Sequence, residues 1–216
     1  MGSKQIKETI RWYDLNAPKY ADATSNLSSE IAIEQFVKLL KPKTLVLDAG
    51  CAAGRDTYLL TAKGLKVIGL DISKGLLKAA RKKFPRLEFI YGDLLKLNFA
   101  DNYFGGVWAN SVLLHLENQE KVLKALKNFY RILSDKGIIH ITVKAKKGKK
   151  KVDFVKDSLS KTGRFFQYFS LDEVKKLLEE VDFKIIIIEQ YLETERYLKG
   201  RPGIEEIRVL AQKDLS

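Results

Sequence analysis

The sequence predicts an α/β fold in three α/β/α layers: a doubly wound sheet of seven strands, mostly parallel, whose last strand is antiparallel. Two observations support this prediction. From residue 44 onward, short apolar runs alternate with amphipathic stretches, which is the pattern of a mostly parallel sheet covered by helices on both faces. The last two apolar runs are joined only by YLETERYLKGRPG, which leaves no obvious room for a crossover helix, so these strands should pair antiparallel.

Seven runs read as strands. They are TLVLD (44–48), LKVIGLD (65–71), LEFIYGD (87–93), GGVWAN (105–110), GIIHITVK (137–144), FKIIIIEQ (183–190) and IEEIRVLAQ (204–212). Between them, apolar residues three and four apart predict helices in RDTYLLTAK, SKGLLKAARKKF, NQEKVLKALKNFYRIL and SLDEVKKLLEEV. Ser73 and Ser170 are predicted N-caps, and Asp172 and Glu173 suit a first turn, where a carboxylate meets the helix dipole favourably.

Residues 1–43 differ from the rest of the chain in their residue pattern. We predict that they form a helical cap segment over residues 44–216 and that the whole is one globular domain. IKETIRWYDLNAPKYADATSN mixes aromatic residues with turn formers. SSEIAIEQFVKLL reads as a helix that stops before Pro42. A segment of this kind at the start of the chain is a candidate lid.

The net charge of +12 allows two interpretations. It could be a footprint for a polyanion such as RNA. We favour the other interpretation, because lysine far exceeds arginine, glutamate is plentiful and Met and Cys are scarce, a composition typical of thermophile proteins. KAKKGKKK (144–151) is either an anion-binding arm or, as we favour, a solvated mobile loop.

Several functional classes are disfavoured by composition. The sequence has no signal-peptide core and no apolar run long enough to cross a bilayer, so we expect a soluble, cytoplasmic protein with no membrane partner. One cysteine, Cys51, cannot form an intramolecular disulfide framework, and the two histidines, His115 and His140, add little metal-ligating capacity. We therefore expect no metal site.

The stretch LVLDAGCAAGRD (45–56) runs from an apolar strand through an acid into a turn of small residues. Such a turn lets a ligand approach the backbone and presents the N-terminus of the following helix. Two common phosphate-binding motifs do not fit. The dinucleotide pattern G-x-G-x-x-G fails because positions 52 and 55 are Ala and Arg, and the P-loop fails because no Gly-Lys-Ser/Thr follows.

What remains, Asp48-x-Gly50-x-Ala52-x-Gly54, resembles motif I of the class I S-adenosylmethionine-dependent methyltransferases, Asp/Glu-x-Gly-x-Gly-x-Gly. Ala52 stands where the middle glycine is usual, and we expect it to keep an ordinary backbone conformation in a slightly roomier turn. GLDIS (69–73), YGD (91–93), VWANSVLLHL (107–116) and NFYRILSDKGIIHITVK (128–144) are similar to the later motifs of the family. The resemblance extends from about residue 12 to residue 212 and is nearest to the small-molecule-type and uncharacterised bacterial and archaeal members.

The resemblance implies a Rossmann-like fold, S-adenosyl-L-methionine as methyl donor and S-adenosyl-L-homocysteine as product. It implies that Asp48 orders the turn, that Asp71 accepts both ribose hydroxyls, and that Asp93 binds the adenine amino group. The further cofactor-binding candidates are Tyr13, Tyr20, Gly50, Cys51, Ala52, Gly54, Arg55, Ile72, Leu94, Asn110 and Ser111.

Some of these candidates have a more specific expected role. Ile72 and Leu94 would lie on either side of the adenine ring, and Arg55 would bind the methionine carboxylate. Asn110 and Ser111 would face the methionine moiety. Tyr13 and Tyr20 would close the site if the amino-terminal segment folds over it, as it does in relatives, although aromatic packing alone could explain both.

Methyl transfer from a sulfonium expels a neutral leaving group and needs no general acid, so positioning and desolvation should carry most of the catalysis. His115 is the candidate general base, with a packed structural histidine as the alternative. The chain lacks the Asn/Asp-Pro-Pro-Tyr/Phe signature of enzymes that methylate nitrogens of DNA or glutamine. We expect a small-molecule acceptor; a tRNA or other RNA methyltransferase and a noncatalytic cofactor-binding module remain open.

Overall fold

The computed structural model describes residues 4–25, 27, 30–156, 163–196 and 201–214. The helices are α1 (Lys4–Thr24), α2 (Glu30–Lys38), α3 (Arg55–Ala62), α4 (Lys74–Lys83), α5 (Gln119–Ile132), α6 (Leu171–Glu179) and α7 (Glu193–Arg196). The strands are β1 (Leu45–Ala49), β2 (Lys66–Asp71), β3 (Glu88–Tyr91), β4 (Phe104–Asn110), β5 (Leu133–Lys144), β6 (Val152–Lys156), β7 (Gly163–Gln167), β8 (Phe183–Leu192) and β9 (Glu205–Lys213). Short 3-10 turns span Leu94–Lys96 and Leu113–His115.

Seven strands form the central sheet in the order β3-β2-β1-β4-β5-β9-β8. Strands β1 to β5 pair in parallel, and β9, the last strand, is antiparallel to both of its neighbours, β5 and β8. The predicted α/β fold is thereby confirmed, including the antiparallel pairing of the last two sheet strands. The order places the carboxyl ends of β1 to β5 and of β8, together with the start of β9, along one edge of the sheet.

Side chains alternate between two apolar cores, one on each face of the sheet. One face packs with α5 and α6 and includes Leu47, Val107, Ile139, Val209, Phe129 and Leu178. The other packs with α2 and α3 and includes Val46, Trp108, Ile138, Leu210, Phe36 and Leu60. Burial on both faces explains why these strands read as nearly continuous apolar runs.

The amino-terminal segment is more regular than the sequence suggested. A single helix, α1, runs through Pro18, where a mixture of aromatics and turn formers was expected. Proline cannot donate to the carbonyl four residues earlier, that of Asp14, and a proline inside a helix normally costs about 3 kcal/mol. Here α1 packs on α4, where Asp14 Oδ1 accepts from Ser73 Oγ at 2.7 Å and from the Gly75 backbone N–H at 2.8 Å. Ser28 and Ser29, which open the predicted second helix, lie outside the described residues.

No strand was predicted between the lysine run and α6. Strands β6 and β7 form a separate antiparallel hairpin, Val152 to Lys156 opposite Gln167 to Gly163. Its second strand bridges two elements: the backbone N–H of Phe165 donates to Thr9 Oγ1 of α1 at 2.9 Å, and the Phe165 carbonyl is 2.7 Å from His115 Nδ1. The hairpin thus ties α1 to the turn that follows β4.

Replacing Gly75 with alanine should loosen α1 without harming the sheet. A Cβ at this position would lie 2.4 Å from the Asp14 carbonyl oxygen, and since that atom is backbone, α1 has to shift. Alanine itself favours helix by about 1 kcal/mol over glycine. We expect faster amide hydrogen exchange throughout α1 and unchanged exchange in β1 and β4. Lys78→Ala, at an exposed position of α4, is the matched control. Amide exchange in α1 that stays slow in Gly75→Ala would contradict the close packing of α1 on α4.

Within the described ranges, none of the helices combines the length and the apolar character needed to cross a bilayer.

Candidate active site

A cavity of about 670 Å³ opens at the sheet edge where β1 to β5 end. Its volume falls in the range of ~300–1,000 Å³ usual for small-molecule and cofactor sites. Every predicted site residue except Gly54 lines it. Gly54 instead shapes the turn: its φ is +82°, and a Cβ there would lie 2.6 Å from Phe89 Cζ.

The glycine turn is fixed by backbone hydrogen bonds to the neighbouring strand. The N–H groups of Gly50 and Cys51 both donate to the Leu70 carbonyl, at 2.7 and 3.0 Å. Gly50 has φ +78°, and a Cβ there would lie 2.4 Å from Val112 Cγ2. The Cys51 side chain is buried in an apolar cluster, and burial raises its pKa, so it packs as a small residue and is not poised as a nucleophile.

Ala52 does not have the ordinary conformation that the sequence analysis expected. Its φ is +48°, in the left-handed region that its glycine counterpart would adopt freely. The Ala52 N–H donates to Asp71 Oδ2 at 2.9 Å, which holds the residue there. The strain of a left-handed alanine is on the order of 1 kcal/mol, and one charge-assisted hydrogen bond is enough to offset it. The expectation was wrong because the turn's geometry is imposed from the next strand.

Asp71, at the end of β2, organises both sides of the turn. Oδ2 accepts from Ala52 and Oδ1 accepts from the Ser73 N–H at 2.8 Å. Burial raises the pKa of Asp71 to about 6, against the lowering effect of these backbone donors. A carboxylate offers about four lone-pair sites, and the N–H of Ile72 acts on Asp71 together with those of Ala52 and Ser73. Asp71 can therefore still accept from a further donor in the cavity, such as a hydroxyl of a vicinal pair.

A second acid, Asp56, was missed by the sequence analysis. It lies in the first turn of α3 and accepts from Arg55 Nε at 2.7 Å, Asn110 Nδ2 at 2.8 Å and Trp108 Nε1 at 3.0 Å. Burial alone would raise its pKa, but Arg55 and these donors hold it below the ordinary value. The only local signal was an acid directly after the glycine turn; its partners on β4 are distant in sequence.

Asp48 is fully buried at the end of β1 beside Asp56. Loss of hydration and then the Asp56 charge raise the pKa of Asp48 to about 8, although Thr57 Oγ1 donates to its Oδ2 at 2.5 Å. The two carboxylates therefore differ at neutral pH: Asp56 is ionised and Asp48 holds a proton. Arg55 was expected to bind the methionine carboxylate of the cofactor. Its Nη1 also donates to the Thr24 carbonyl at 3.1 Å and so holds the end of α1 in place.

The remaining predicted residues surround this centre. Asp93 caps the turn at Leu94–Lys96 through a bond from the Leu95 N–H to Oδ1, at 2.9 Å. Ser111 has φ +54°, and its N–H donates to the Thr142 carbonyl at 3.0 Å. Tyr13 and Tyr20 of α1 contact each other edge to face with ring centroids 5.1 Å apart. Helix α1 thus forms one wall of the cavity.

His115 faces the cavity in a defined tautomer. Because a carbonyl can only accept, Nδ1 must carry the proton that is shared with the Phe165 carbonyl at 2.7 Å. Nε2 then accepts from the Tyr13 hydroxyl at 2.8 Å. Burial lowers the pKa of His115 to about 3. The ring is neutral at pH 7, and its basic nitrogen is held by a tyrosine that also lines the cavity.

NMR of the imidazole nitrogens can check this assignment, since the chain has only two histidines. We expect His115 to show the Nδ1–H tautomer at pH 7 and to remain neutral when the pH falls to 5. Tyr13→Phe should shift the Nε2 resonance, because that nitrogen loses its donor, and should leave the tautomer unchanged. A His115 ring that titrates near pH 6.5 would contradict the geometry. His140, buried between Trp108 and Phe36, is the internal reference.

A group of charged and aromatic side chains lines the cavity beyond β4: Lys144, Arg164, Phe166, Glu193, Arg201 and Glu206. Lys144 is the first residue of the lysine run. Lys144 ends β5, and Lys146 forms an ion pair with Glu173. The start of the run is therefore part of the folded domain, where a mobile loop was favoured.

Comparisons with known proteins agree with this geometry. Residues 47–141 match the family model described as "Methyltransferase domain". A demethylmenaquinone methyltransferase of Renibacterium salmoninarum is 31% identical over 140 residues, which cover 62% of this chain and 57% of the relative. A probable tRNA methyltransferase 9B of Mus musculus is 30% identical over 131 residues, covering 61% of this chain and 28% of the relative. The chain thus spans little more than half, or less, of these relatives.

A solved structure of Burkholderia thailandensis 1,6-didemethyltoxoflavin-N1-methyltransferase, with bound 1,6-didemethyltoxoflavin and S-adenosylhomocysteine, superimposes with a TM-score of 0.75 at 18% identity. The match covers 100% of this chain and 92% of that one. At this identity the likeness concerns the fold. The motif at Asp48 to Gly54 and the family match together show that residues 47–141 form a methyltransferase domain, and the chain has the fold of the class I S-adenosylmethionine-dependent methyltransferases.

Proposed function

We propose that the protein transfers a methyl group from S-adenosylmethionine to a small-molecule acceptor. The observation that carries the proposal is Asp71, which fixes the glycine turn by accepting backbone hydrogen bonds at both carboxylate oxygens and keeps lone-pair capacity for a ribose hydroxyl. The absence of a Cβ at Gly50 keeps the turn compact against Val112. The carboxylates on this side, those of Asp56, Asp71 and Asp93, suit a ligand that carries a sulfonium.

When bound, the cofactor supplies an activated methyl group on a sulfonium, whose leaving group departs as a neutral thioether. The chain's own residues then have three tasks. Asp71, Asp93 and the turn hold the donor in place, so that the acceptor meets the methyl carbon in line. Helix α1 and strand β7 exclude water from the cavity. His115 Nε2 can take the acceptor's proton, either through the Tyr13 hydroxyl or after that hydroxyl moves aside.

A small acceptor is favoured because the cavity is enclosed by α1 and by the hairpin. We propose that residues 1–43 serve as a cap on the domain of residues 44–216 and leave room for one small molecule beside the cofactor. RNA is the second candidate, favoured by the net charge of +12 and by the similarity to a probable tRNA methyltransferase. A noncatalytic module that binds the cofactor is the third.

Incubation with methyl-labelled S-adenosylmethionine separates these candidates. The wild type is given either the small-molecule fraction of a cell extract or total RNA. Label in a small-molecule product, absent with Asp71→Asn, is the expected result. Label in RNA would show that the acceptor is RNA and not a small molecule. Cofactor binding without any transfer would indicate a noncatalytic module.

A further inference from the structure

Three of the buried and half-buried carboxylates that line the cavity lie on one side of β4. Asp56 lies in α3, Asp71 ends β2 and Asp93 follows β3, and the exposed Lys83 and Lys96 also line this side. The cations Lys144 and Arg201 lie at β5 and before β9, on the other side of β4, and Arg164 comes from the hairpin. If the acidic part holds the cofactor, the basic part faces the acceptor. The acceptor end of the cavity is then the cationic end.

Lys144 is the cation at the centre of this end. It is half-buried and lies opposite Glu206 in the register of β5 with β9. Among the residues that the structure describes, no carboxylate lies within ion-pairing distance of Nζ, which instead lies 4.3 Å from the centroid of the Phe166 ring. Burial and then the charge of Arg201 lower the pKa of Lys144 to about 8, against the opposing effect of the Glu193 and Glu206 charges.

The acids near Lys144 already have partners. Glu193 is held by Arg201, whose Nε is 2.8 Å from Glu193 Oε2 and whose backbone N–H also donates to that oxygen. Glu206 accepts from the Tyr191 hydroxyl at 3.1 Å. This end of the cavity is lined by three cations, Lys144, Arg164 and Arg201, and by two carboxylates, those of Glu193 and Glu206. The surplus of one positive charge leaves room for one more anion.

On one side the ammonium group faces an aromatic ring, that of the buried Phe166. The apolar side chains of Ile10 and Leu116 line the same cavity. The Arg164 guanidinium lies 5.3 Å from the Phe166 centroid and 4.1 Å from that of Trp12. Aromatic rings below and a cation at the edge are the features that bind a planar ring with an anionic substituent.

Building on the proposed function, we propose that the acceptor is a small aromatic acid whose carboxylate binds Lys144 and whose ring packs in the slot formed by Phe166, Ile10 and Leu116. The carboxylate anchors the molecule, and the attacking atom lies elsewhere on it. RNA fits less well, because phosphate groups on a polymer are met by exposed cations, whereas Lys144 lies inside the cavity.

Matched probes that differ only in charge can test this. Benzoate and 4-hydroxybenzoate, with benzamide and 4-hydroxybenzamide as neutral counterparts, are titrated into the protein loaded with S-adenosylhomocysteine. We expect each acid to bind at least about tenfold more tightly than its amide, as for a charge-assisted contact. Lys144→Met, which keeps the apolar stem, should abolish the preference, and Lys144→Arg should restore part of it. Lys149→Met, at an exposed position of the same lysine run, should keep it.

Acids that bind no better than amides, or a preference that survives in Lys144→Met, would overturn the proposal while leaving the methyltransferase assignment intact. Failure of S-adenosylhomocysteine to bind at the outset would instead count against the proposed function. Thermal unfolding of each variant verifies that it is folded. If Lys144→Met is not folded, the comparison of acid and amide binding is made with Lys144→Arg.

Discussion

Asp71→Asn is expected to weaken binding of S-adenosylhomocysteine about a hundredfold or more. The amide has one oxygen in place of two, so it cannot accept from the backbone N–H groups of Ala52, Ile72 and Ser73 and also from a ribose hydroxyl. Each hydrogen bond to a charged group contributes about 1.5–3 kcal/mol, and at least two are lost. Calorimetric titration measures the effect directly.

The control for this variant is Asp135→Asn, an exposed acid near the start of β5 and away from the cavity. Its affinity for the ligand should equal that of the wild type. Asp71→Asn should also unfold at a lower temperature, since the left-handed conformation of Ala52 loses its anchor. Undiminished affinity in Asp71→Asn would mean that the ribose is bound elsewhere.

Asp48→Asn is expected to stabilise the protein at alkaline pH and to change the pH dependence of its stability. The pKa of Asp48 is raised from 3.8 in the unfolded chain to about 8 in the folded protein, first by burial and then by Asp56. The folded state thus binds an extra proton between these values, so the free energy of unfolding falls as pH rises from about 4 to 8. The slope from this one group is at most about 1.4 kcal/mol per pH unit.

Urea unfolding at pH 5, 7 and 9 measures the difference between wild type and Asp48→Asn. Comparing the two is necessary because His115 and His140, both with lowered pKa values, act in the opposite direction: the stability they contribute is present above pH 6.5 and is lost as the pH falls. The free energy of unfolding of Asp48→Asn, relative to that of the wild type, should rise by a few kcal/mol between pH 5 and pH 9. A constant difference across this range would show that Asp48 is ionised throughout.

The strands of the sheet and the helices between them could be predicted because the sequence signals for each element lie within it or next to it. The strands are buried on both faces, and the caps at Ser73 and Ser170 need only nearby residues. The continuity of α1 through Pro18 and the β6–β7 hairpin were not predicted, because tertiary contacts stabilise them. Asp14 meets Ser73 and Gly75 of α4, and Phe165 bonds to Thr9 of α1, across long sequence separations.

The candidate site divides in the same way. Asp48, Asp71 and Asp93 follow strands at a recognisable spacing, so their convergence at one sheet edge could be foreseen. Asp56 could not, because its importance depends on Trp108 and Asn110 of β4. Nor could the cluster around Lys144, which joins β5, the hairpin and the segment between β8 and β9. The conformation of Ala52 follows from its bond to Asp71 and not from its side chain.

The assignment of the cavity to S-adenosylmethionine can be tested by calorimetric titration of the wild type. The ligands are S-adenosylmethionine, S-adenosylhomocysteine and, for comparison, NADH. Saturable binding of one molecule per chain is predicted for the first two ligands and none for NADH. Failure to bind either sulfur ligand, or binding of NADH alone, would contradict the assignment of the cavity to S-adenosylmethionine.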